Sequence, residues 1–135
     1  MTESKFKHIL SPIKIGPIEL KNRIVLAPMN EALCQGNGEV GEPYIAYFGA
    51  RAKGGTGLIT TGAIMGTKQA GEWPAGRNPH LYHQGHMHGM NDLTDRAHYF
   101  GSRIAAQMTI GFGRQGHSYD HHALPRPRVP VCPMR

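Results

Sequence analysis

The sequence predicts an α/β fold built on parallel β-strands. Three short segments, 24–29, 57–63 and 103–108, are largely apolar and lack the strict alternation of a half-buried strand. Segments that are apolar on both faces and are separated by helical patterns are typical of parallel strands covered by helices. Ligands of such folds bind at the carboxyl ends of the strands, so the ends of these segments hold the candidate functional residues.

A small hairpin is predicted before the first long strand. The segment 13–20 alternates apolar and polar residues around a central Gly-Pro pair, which is a typical turn sequence. The first parallel strand then runs from Ile24 and ends at Pro28 and Met29, because proline has no N–H group to extend a ladder.

An amphipathic helix is predicted between the first and second strands. It begins near Pro43, where a missing N–H costs no hydrogen bond, and a glycine pair at 54–55 ends it. Ile45, Phe48 and Ala52 recur at helical spacing and form its buried face. The second strand follows almost at once, as expected for a short αβ connection.

A long irregular segment and a second helix are predicted before the third strand. The irregular segment runs from Ala63 to about Gly85 and is rich in Gly, Pro and His. The helix covers about His88–Phe100, Gly101 ends it, and the third strand follows. The buried face of this helix consists of Met90, Leu93, Ala97 and Phe100.

The order of these elements is that of successive units of a (β/α)8 barrel. A complete barrel has about 250 residues, whereas this chain has 135. The predicted fold is therefore an incomplete (β/α)8 TIM barrel, with an N-terminal hairpin and about the first three β/α units. No periodic element is predicted beyond Arg114.

Composition indicates a globular protein and excludes several classes of function. Apolar residues make up 39% and charged residues 18% of the chain, and the net charge is +6. A partly solvated basic surface is favoured over an anion site, and no basic run interleaved with aromatic residues indicates nucleic acid. No apolar segment reaches the roughly 20 residues of a membrane span. We expect no membrane partner and a cytoplasmic location.

The cysteines and histidines do not predict a metal site. Cys34 and Cys132 fit no zinc or CxxC spacing. For Cys34 an unreactive buried or loop position is favoured over a reactive thiol. A metal could bind the tract formed by His80, His83, His86 and His88, but solvated loop histidines are favoured because no Cys or acidic pair completes a site.

The strand ends carry residues suited to a flat, polar ligand. Met29 offers a soft contact, with a core methionine as the alternative, and Gly62 and Ala63 permit close approach to the backbone, with a tight turn as the alternative. Gln107 lies in an apolar strand, where a buried amide must satisfy both a donor and an acceptor. It suits the edge of a flavin or pterin ring, or hydrogen bonds to neighbouring strands.

From about Ser11 to Arg114 the chain resembles the N-terminal part of the old yellow enzyme family, the NADH:flavin oxidoreductases. The form Gln-Met-Thr-x-Gly-Phe-Gly-Arg, from Gln107 onward, most resembles the branch of enoate, dienoyl-thioester and bile-acid-type reductases. The resemblance rests on Pro12-Ile-Lys-Ile-Gly16, Leu20-Lys-Asn-Arg-Ile-Val25, Ala27-Pro-Met29, Arg51-Ala-Lys-Gly-Gly55, Gly57-Leu-Ile59, Leu93-Thr-Asp95 and Gln107, in the order found in the family.

The resemblance implies that residues 1–135 belong to a single FMN-binding TIM-barrel domain, with 115–135 as a loop. It implies an oxidoreductase that passes hydride from NAD(P)H through the flavin to an activated alkene, such as an enone, enoate or acyl thioester. The usual tyrosine proton donor and the phosphate-binding loops would lie beyond Arg135, so no catalytic residue is assigned. The implied FMN-binding residues are Ala27, Pro28, Met29, Asn30, Gly62, Ala63 and Gln107.

The resemblance also implies a chain that is truncated, a gene fragment, or one piece of a split protein. One alternative is a non-catalytic fragment that needs a complementing half-barrel or a homo-oligomer. Another is a His-rich protein that binds metals or anions. A further C-terminal part could hold an iron–sulfur cluster and FAD. The sequence does not specify the substrate, NADH or NADPH, or the oligomeric state.

Overall fold

The computed structural model describes residues 6–71 and 77–111. Arg114, Cys132 and the predicted loop 115–135 lie outside the described residues. The strands are β1 (Ile13–Ile15), β2 (Ile18–Leu20), β3 (Val25–Leu26), β4 (Leu58–Met65) and β5 (Arg103–Thr109). The helices are α1 (Glu42–Lys53), α2 (Lys68–Gly71) and α3 (Met87–Tyr99), and a 3-10 turn spans Gln84–His86.

The strands form two sheets, as the alternating pattern predicts. β1 and β2 pair antiparallel in the expected hairpin, with Gly16 at a φ of 55° in the turn. β3, β4 and β5 form a parallel sheet in that order, so each strand lies beside the next one in the chain. The predicted parallel strands are confirmed, and their neighbour order is the one that successive barrel units require.

β3 is shorter than the apolar segment that predicts it. Only Val25 and Leu26 pair with β4, opposite Leu58 and Ile59. Ala27 is the last residue before Pro28, which has no N–H group to donate to the neighbouring strand. The backbone from 27 to 30 therefore leaves the ladder and lies exposed at the carboxyl end of the sheet.

The main core lies between the sheet and α1 and α3. The predicted faces are confirmed: Ile45, Phe48 and Ala52 are buried on α1, and Leu93 and Ala97 are buried on α3. Met90 and Phe100 pack partly buried against the same cluster. The two helices approach closely because Gly49 has no side chain, and a Cβ atom there would lie 3.0 Å from Cγ of Arg96.

The prediction of solvated loop histidines is wrong for two of the four. His80 and His86 are buried, whereas His83 and His88 are exposed. The segment after β4 folds back on the strand: His80 forms an isolated parallel bridge with Met65. This contact, which joins residues distant in sequence, draws the histidines inward.

No helix within residues 6–71 and 77–111 combines the length and the apolar character that crossing a membrane requires.

Candidate functional site

The residues predicted to end the three strands lie side by side near the carboxyl edge of the parallel sheet, but β4 and β5 each continue two residues beyond Ala63 and Gln107. Ala63 of β4 is the direct register partner of Gln107 of β5. On the other side of β4, a Cβ atom on Gly62 would overlap the carbonyl oxygen of Met29. Met29, the Gly62–Ala63 pair and Gln107 therefore follow one another across three neighbouring strands.

A β-bulge in β4 sets this arrangement. Thr60 pairs with Ala105, but the next partners are Ala63 and Gln107, so β4 carries one extra residue over this stretch. The backbone N–H of Gln107 donates to Oγ1 of Thr61 at 3.3 Å, which stabilises the bulge from the neighbouring strand. A bulge redirects the side chains that follow it, and such features occur often beside binding sites.

Gln107 is exposed, so the expectation of a buried glutamine is wrong. β5 is the outer strand of the described sheet, and residues 105–108 are exposed along it. The bond to Thr61 uses the backbone of Gln107, and within the described residues its side-chain amide makes no hydrogen bond to a neighbouring strand. The amide N–H groups and the carbonyl oxygen are consequently available to a ligand.

The segment from Ala27 to Asn30 is exposed along its length. The Met29 side chain is 51% exposed, so the alternative of a core methionine does not fit this position. With its thioether, the segment offers a soft apolar contact beside backbone polar groups that have left the ladder.

Contacts within the protein explain why residue 62 is a glycine. A side chain there would meet the Met29 carbonyl group and, at 2.9 Å, Oε2 of Glu31. Gly62 is buried, whereas the neighbouring Ala63 is partly exposed. The alternative of a tight turn is wrong, because both residues lie within β4. Close packing against the first strand end accounts for Gly62, and Ala63 is the residue of the pair that a ligand could contact.

A group of ionisable side chains around the half-buried Glu31 lies close to Gly62, and sequence reasoning missed it. Burial raises the pKa of Glu31, although the backbone N–H of Glu31 and the charge of Arg51 oppose the rise. Burial, together with the Glu31 carboxylate, also raises the pKa of the Tyr44 phenol. No motif marks Glu31; its position two residues after the Pro-Met terminus is the only signal that could have found it.

Cys34 belongs to the same group. The residue is 1% exposed, and burial, with a smaller contribution from Glu31, raises the pKa of its thiol to about 12. The thiolate is the nucleophilic form of cysteine, and it is scarce at neutral pH when the pKa is this high. The expectation of a buried cysteine at position 34 is confirmed.

The site offers recognition chemistry and no metal-binding cluster. Within residues 6–71 and 77–111, no group of three or more His, Cys, Asp or Glu side chains is placed to hold a metal ion. What the strand ends present together is a free amide, exposed backbone groups and a thioether. These are the groups that bind a flat heteroaromatic ring with alternating donors and acceptors along one edge.

Comparisons with known proteins agree with this geometry. Residues 8–134 match the model of the NADH:flavin oxidoreductase / NADH oxidase family. Cinnamate reductase of Clostridium sporogenes is 37% identical over 115 residues, which cover 83% of this chain and 17% of that protein. The chain thus spans about a sixth of that relative's length.

Solved structures of the same group share the fold. The old yellow enzyme from Pichia sp. AKU4542 matches with a TM-score of 0.71 and 29% identity, over 79% of this chain and 27% of that one. A 2-naphthoyl-CoA reductase in complex with 2-naphthoyl-CoA also has a TM-score of 0.71 and 29% identity, over 82% of this chain and 16% of that one.

Proposed function

Because the chain belongs to the NADH:flavin oxidoreductase / NADH oxidase family, we propose that it forms the N-terminal part of an FMN-dependent ene reductase. The observation that carries the proposal is the alignment of Met29, Ala63 and Gln107 across three adjacent strands, near their carboxyl ends. Parallel α/β folds bind their ligands at this edge. The FMN-binding role of each residue is part of the proposal.

The residues present fit a flavin ring. The free amide of Gln107 would donate to and accept from the polar pyrimidine edge. The exposed backbone of Ala27, Pro28 and Asn30 and the side chain of Met29 would line the ring beside it. Gly62 would hold the first two strand ends together, and Ala63 would let the ring approach the backbone of β4.

When bound, FMN supplies a two-electron carrier between NAD(P)H and an alkene conjugated to a carbonyl group. The described residues bind and orient rather than transfer protons. Cys34 and Tyr44 are fully buried, so neither can donate a proton to a substrate. We propose that the proton donor and the phosphate-binding groups are supplied from outside the described residues.

The substrate class that we propose is an enone, an enoate or an acyl thioester. Support comes from two similar proteins, one named cinnamate reductase and one solved with 2-naphthoyl-CoA. An iron–sulfur cluster and FAD remain a proposal for a further part of a longer protein, as does the cytoplasmic location.

We further propose that more barrel strands complete the site, from the same polypeptide, a complementing half-barrel or a second copy. The side chains of Met108 and Ile110, in and just beyond the outer strand, are 53% and 74% exposed. An open parallel strand with exposed apolar side chains is a surface that further strands would cover. Without them the chain would be the non-catalytic fragment considered above. The alternative of a His-rich metal protein loses support, because His80 and His86 are buried among aromatic rings.

Titration with FMN tests the proposal. The purified 135-residue chain is mixed with FMN while its absorption and fluorescence are recorded, and gel filtration defines the species that binds. We expect Gln107→Leu to weaken FMN binding about tenfold, because flavin groups lose hydrogen-bond partners on binding. Gln84→Leu, at another exposed glutamine, is the matched control and should bind FMN like the wild type. Equal affinity of the wild type and the Gln107→Leu variant would refute the role of Gln107, and absence of binding by any discrete species would refute a preformed site.

A further inference from the structure

Two buried histidines lie in the connection between β4 and α3, and one of them, His80, also packs against the loop after β3. His80 lies in the segment after β4 and His86 in the 3-10 turn before α3, and their side chains are 6% and 9% exposed. Their rings meet edge to face, with centroids 5.6 Å apart. The loop after β3 and the end of α2 contact the ring of His80. None of these contacts belongs to the FMN-binding role proposed above.

Backbone hydrogen bonds fix His80 between β4 and the loop after β3. The N–H of His80 donates to the carbonyl oxygen of Gly38 at 2.9 Å. On the other side, the N–H of Met65 donates to Pro79 at 2.8 Å and the N–H of Leu81 donates to Met65 at 2.9 Å. The segment 79–81 therefore ties the end of the central strand to the loop that follows the first parallel strand.

The ring of His80 fills the space between these segments. Gly38 has a φ of 79°, and a Cβ atom there would overlap the imidazole ring. At the end of α2, a Cβ atom on Gly71 would lie 2.9 Å from Cε1 of His80. The Tyr82 hydroxyl group lies 3.2 Å from Nδ1, and the rings of Tyr82 and His86 contact each other at 4.9 Å.

The groups that face His80 favour the neutral form of its imidazole. Burial and the neighbouring His86 lower the pKa of His80, and hydrogen bonds to the backbone of Asn37 and Gly71 oppose this only in part. Among the described residues, no carboxylate acts on His80. The rings of Tyr82 and His83 face His86, and Nδ1 of His86 is buried without a hydrogen-bond partner in the described part of the chain.

We propose that His80 and His86 form an acid-sensitive clasp that holds the loops after β3 and β4 together at the strand ends. A proton on His80 places a charge on a side chain that is only 6% exposed, beside the ring of His86 with the ring centroids 5.6 Å apart. Opening of the loops exposes the ring of His80 to water and removes this cost. Mild acid thus loosens the loops beside the strand ends while the helix-packed core stays closed.

Hydrogen exchange of single backbone amides tests the clasp. Protection factors of the Met65 and Leu81 amides are measured in the 135-residue chain from pH 7.5 to 5.5, by NMR or by fragmentation mass spectrometry. The open state binds more protons than the closed state below the ordinary histidine pKa near 6.5. Protection should therefore fall with acid, by up to about tenfold per pH unit for each proton bound on opening. The Leu93 amide in α3 should keep its protection.

Three variants separate the clasp from general acid sensitivity. His80→Phe keeps an aromatic ring without a titrating group, and it should make the protection of Met65 and Leu81 independent of pH over this range. His86→Phe should at least halve the change of protection with pH, because the neighbouring imidazole is one of the causes that lower the pKa of His80. It decides the outcome if His80→Phe does not fold. His98→Phe, at an exposed histidine of α3, should behave like the wild type. Protection that does not vary with pH in the wild type, or a full slope in both clasp variants, would overturn the proposal.

Discussion

The helix-packed side of the sheet and its carboxyl edge differ in how completely their side chains are buried and hydrogen-bonded within the protein. Against the helices, Phe48 of α1 and Ile59 of β4 are both 0% exposed, and each lies in a continuous apolar cluster. At the carboxyl edge, Met29 is 51% exposed and the Gln107 amide makes no hydrogen bond within the described residues. Side chains on the first side serve folding, whereas those on the second are left free for a ligand or further strands.

The largest loss of stability is expected from a substitution on the helix-packed side of the sheet. Phe48→Ala removes a fully buried ring and should lower the free energy of unfolding by about 3–5 kcal/mol. Met108→Ala, in the outer strand, should change it by less than about 0.5 kcal/mol. Urea denaturation followed by circular dichroism compares the two variants. Similar losses for both would mean that the two regions are equally packed.

A smaller effect is expected where the two regions meet. Gly62→Ala would force a methyl group against the Met29 carbonyl group, so the first strand end must shift. We expect a loss of about 1–3 kcal/mol in the free energy of unfolding, together with weaker FMN binding. Gly36→Ala is the control, because a Cβ atom there has no neighbour within 4 Å. Equal unfolding midpoints for the two variants would contradict the close approach at Gly62.

The smallest effect concerns the charge of Glu31 behind the strand ends. Burial raises the pKa of this carboxyl group above 4.5, so the folded state binds its proton more tightly than the unfolded state does. Glu31 should therefore contribute a loss of stability as the pH rises from about 4.5 through the raised native pKa. Urea midpoints measured between pH 4 and 8 should show a smaller loss in Glu31→Gln. Glu19→Gln, at an exposed glutamate of β2, should show the same change of urea midpoint with pH as the wild type. If the midpoints of Glu31→Gln also change with pH in parallel with the wild type, the carboxylate of Glu31 does not lose solvation on folding.

Local patterns predicted most of the elements, and contacts between distant residues account for what they missed. The hairpin, both long helices and the parallel strands follow from periodicity, from Pro43 at a helix start and from glycines at helix ends. The bulge at Thr61–Gly62 depends on how β5 pairs with β4, which no single strand encodes. The inward position of His80 likewise depends on a bridge to Met65.

The sequence predicted which residues form the candidate site but not which of their side chains are exposed and which are buried. Pro28 and Met29 mark a strand end by their own chemistry, and an amide inside an apolar strand marks Gln107. The exposure of Gln107 depends on the outer position of β5, and the burial of Glu31 depends on the packing of the loop against α1 and β4. Burial is a property of the assembled sheet, so the local pattern could not specify it.

The extra residue in β4 divides one strand into two stretches with different constraints. Side chains of a strand alternate between faces, so a single inserted residue reverses the alternation from that point onward. Ile59 before the bulge and Ile64 beyond it lie opposite Ile104 and Met108 of β5, so they share one face and are both 0% exposed although five residues separate them. Deletion of one residue at the bulge would leave Ala63 opposite Gln107 and would make the alternation of β4 regular. The bulge therefore accommodates an extra residue in β4 without moving the residues beyond it to the other face of the sheet.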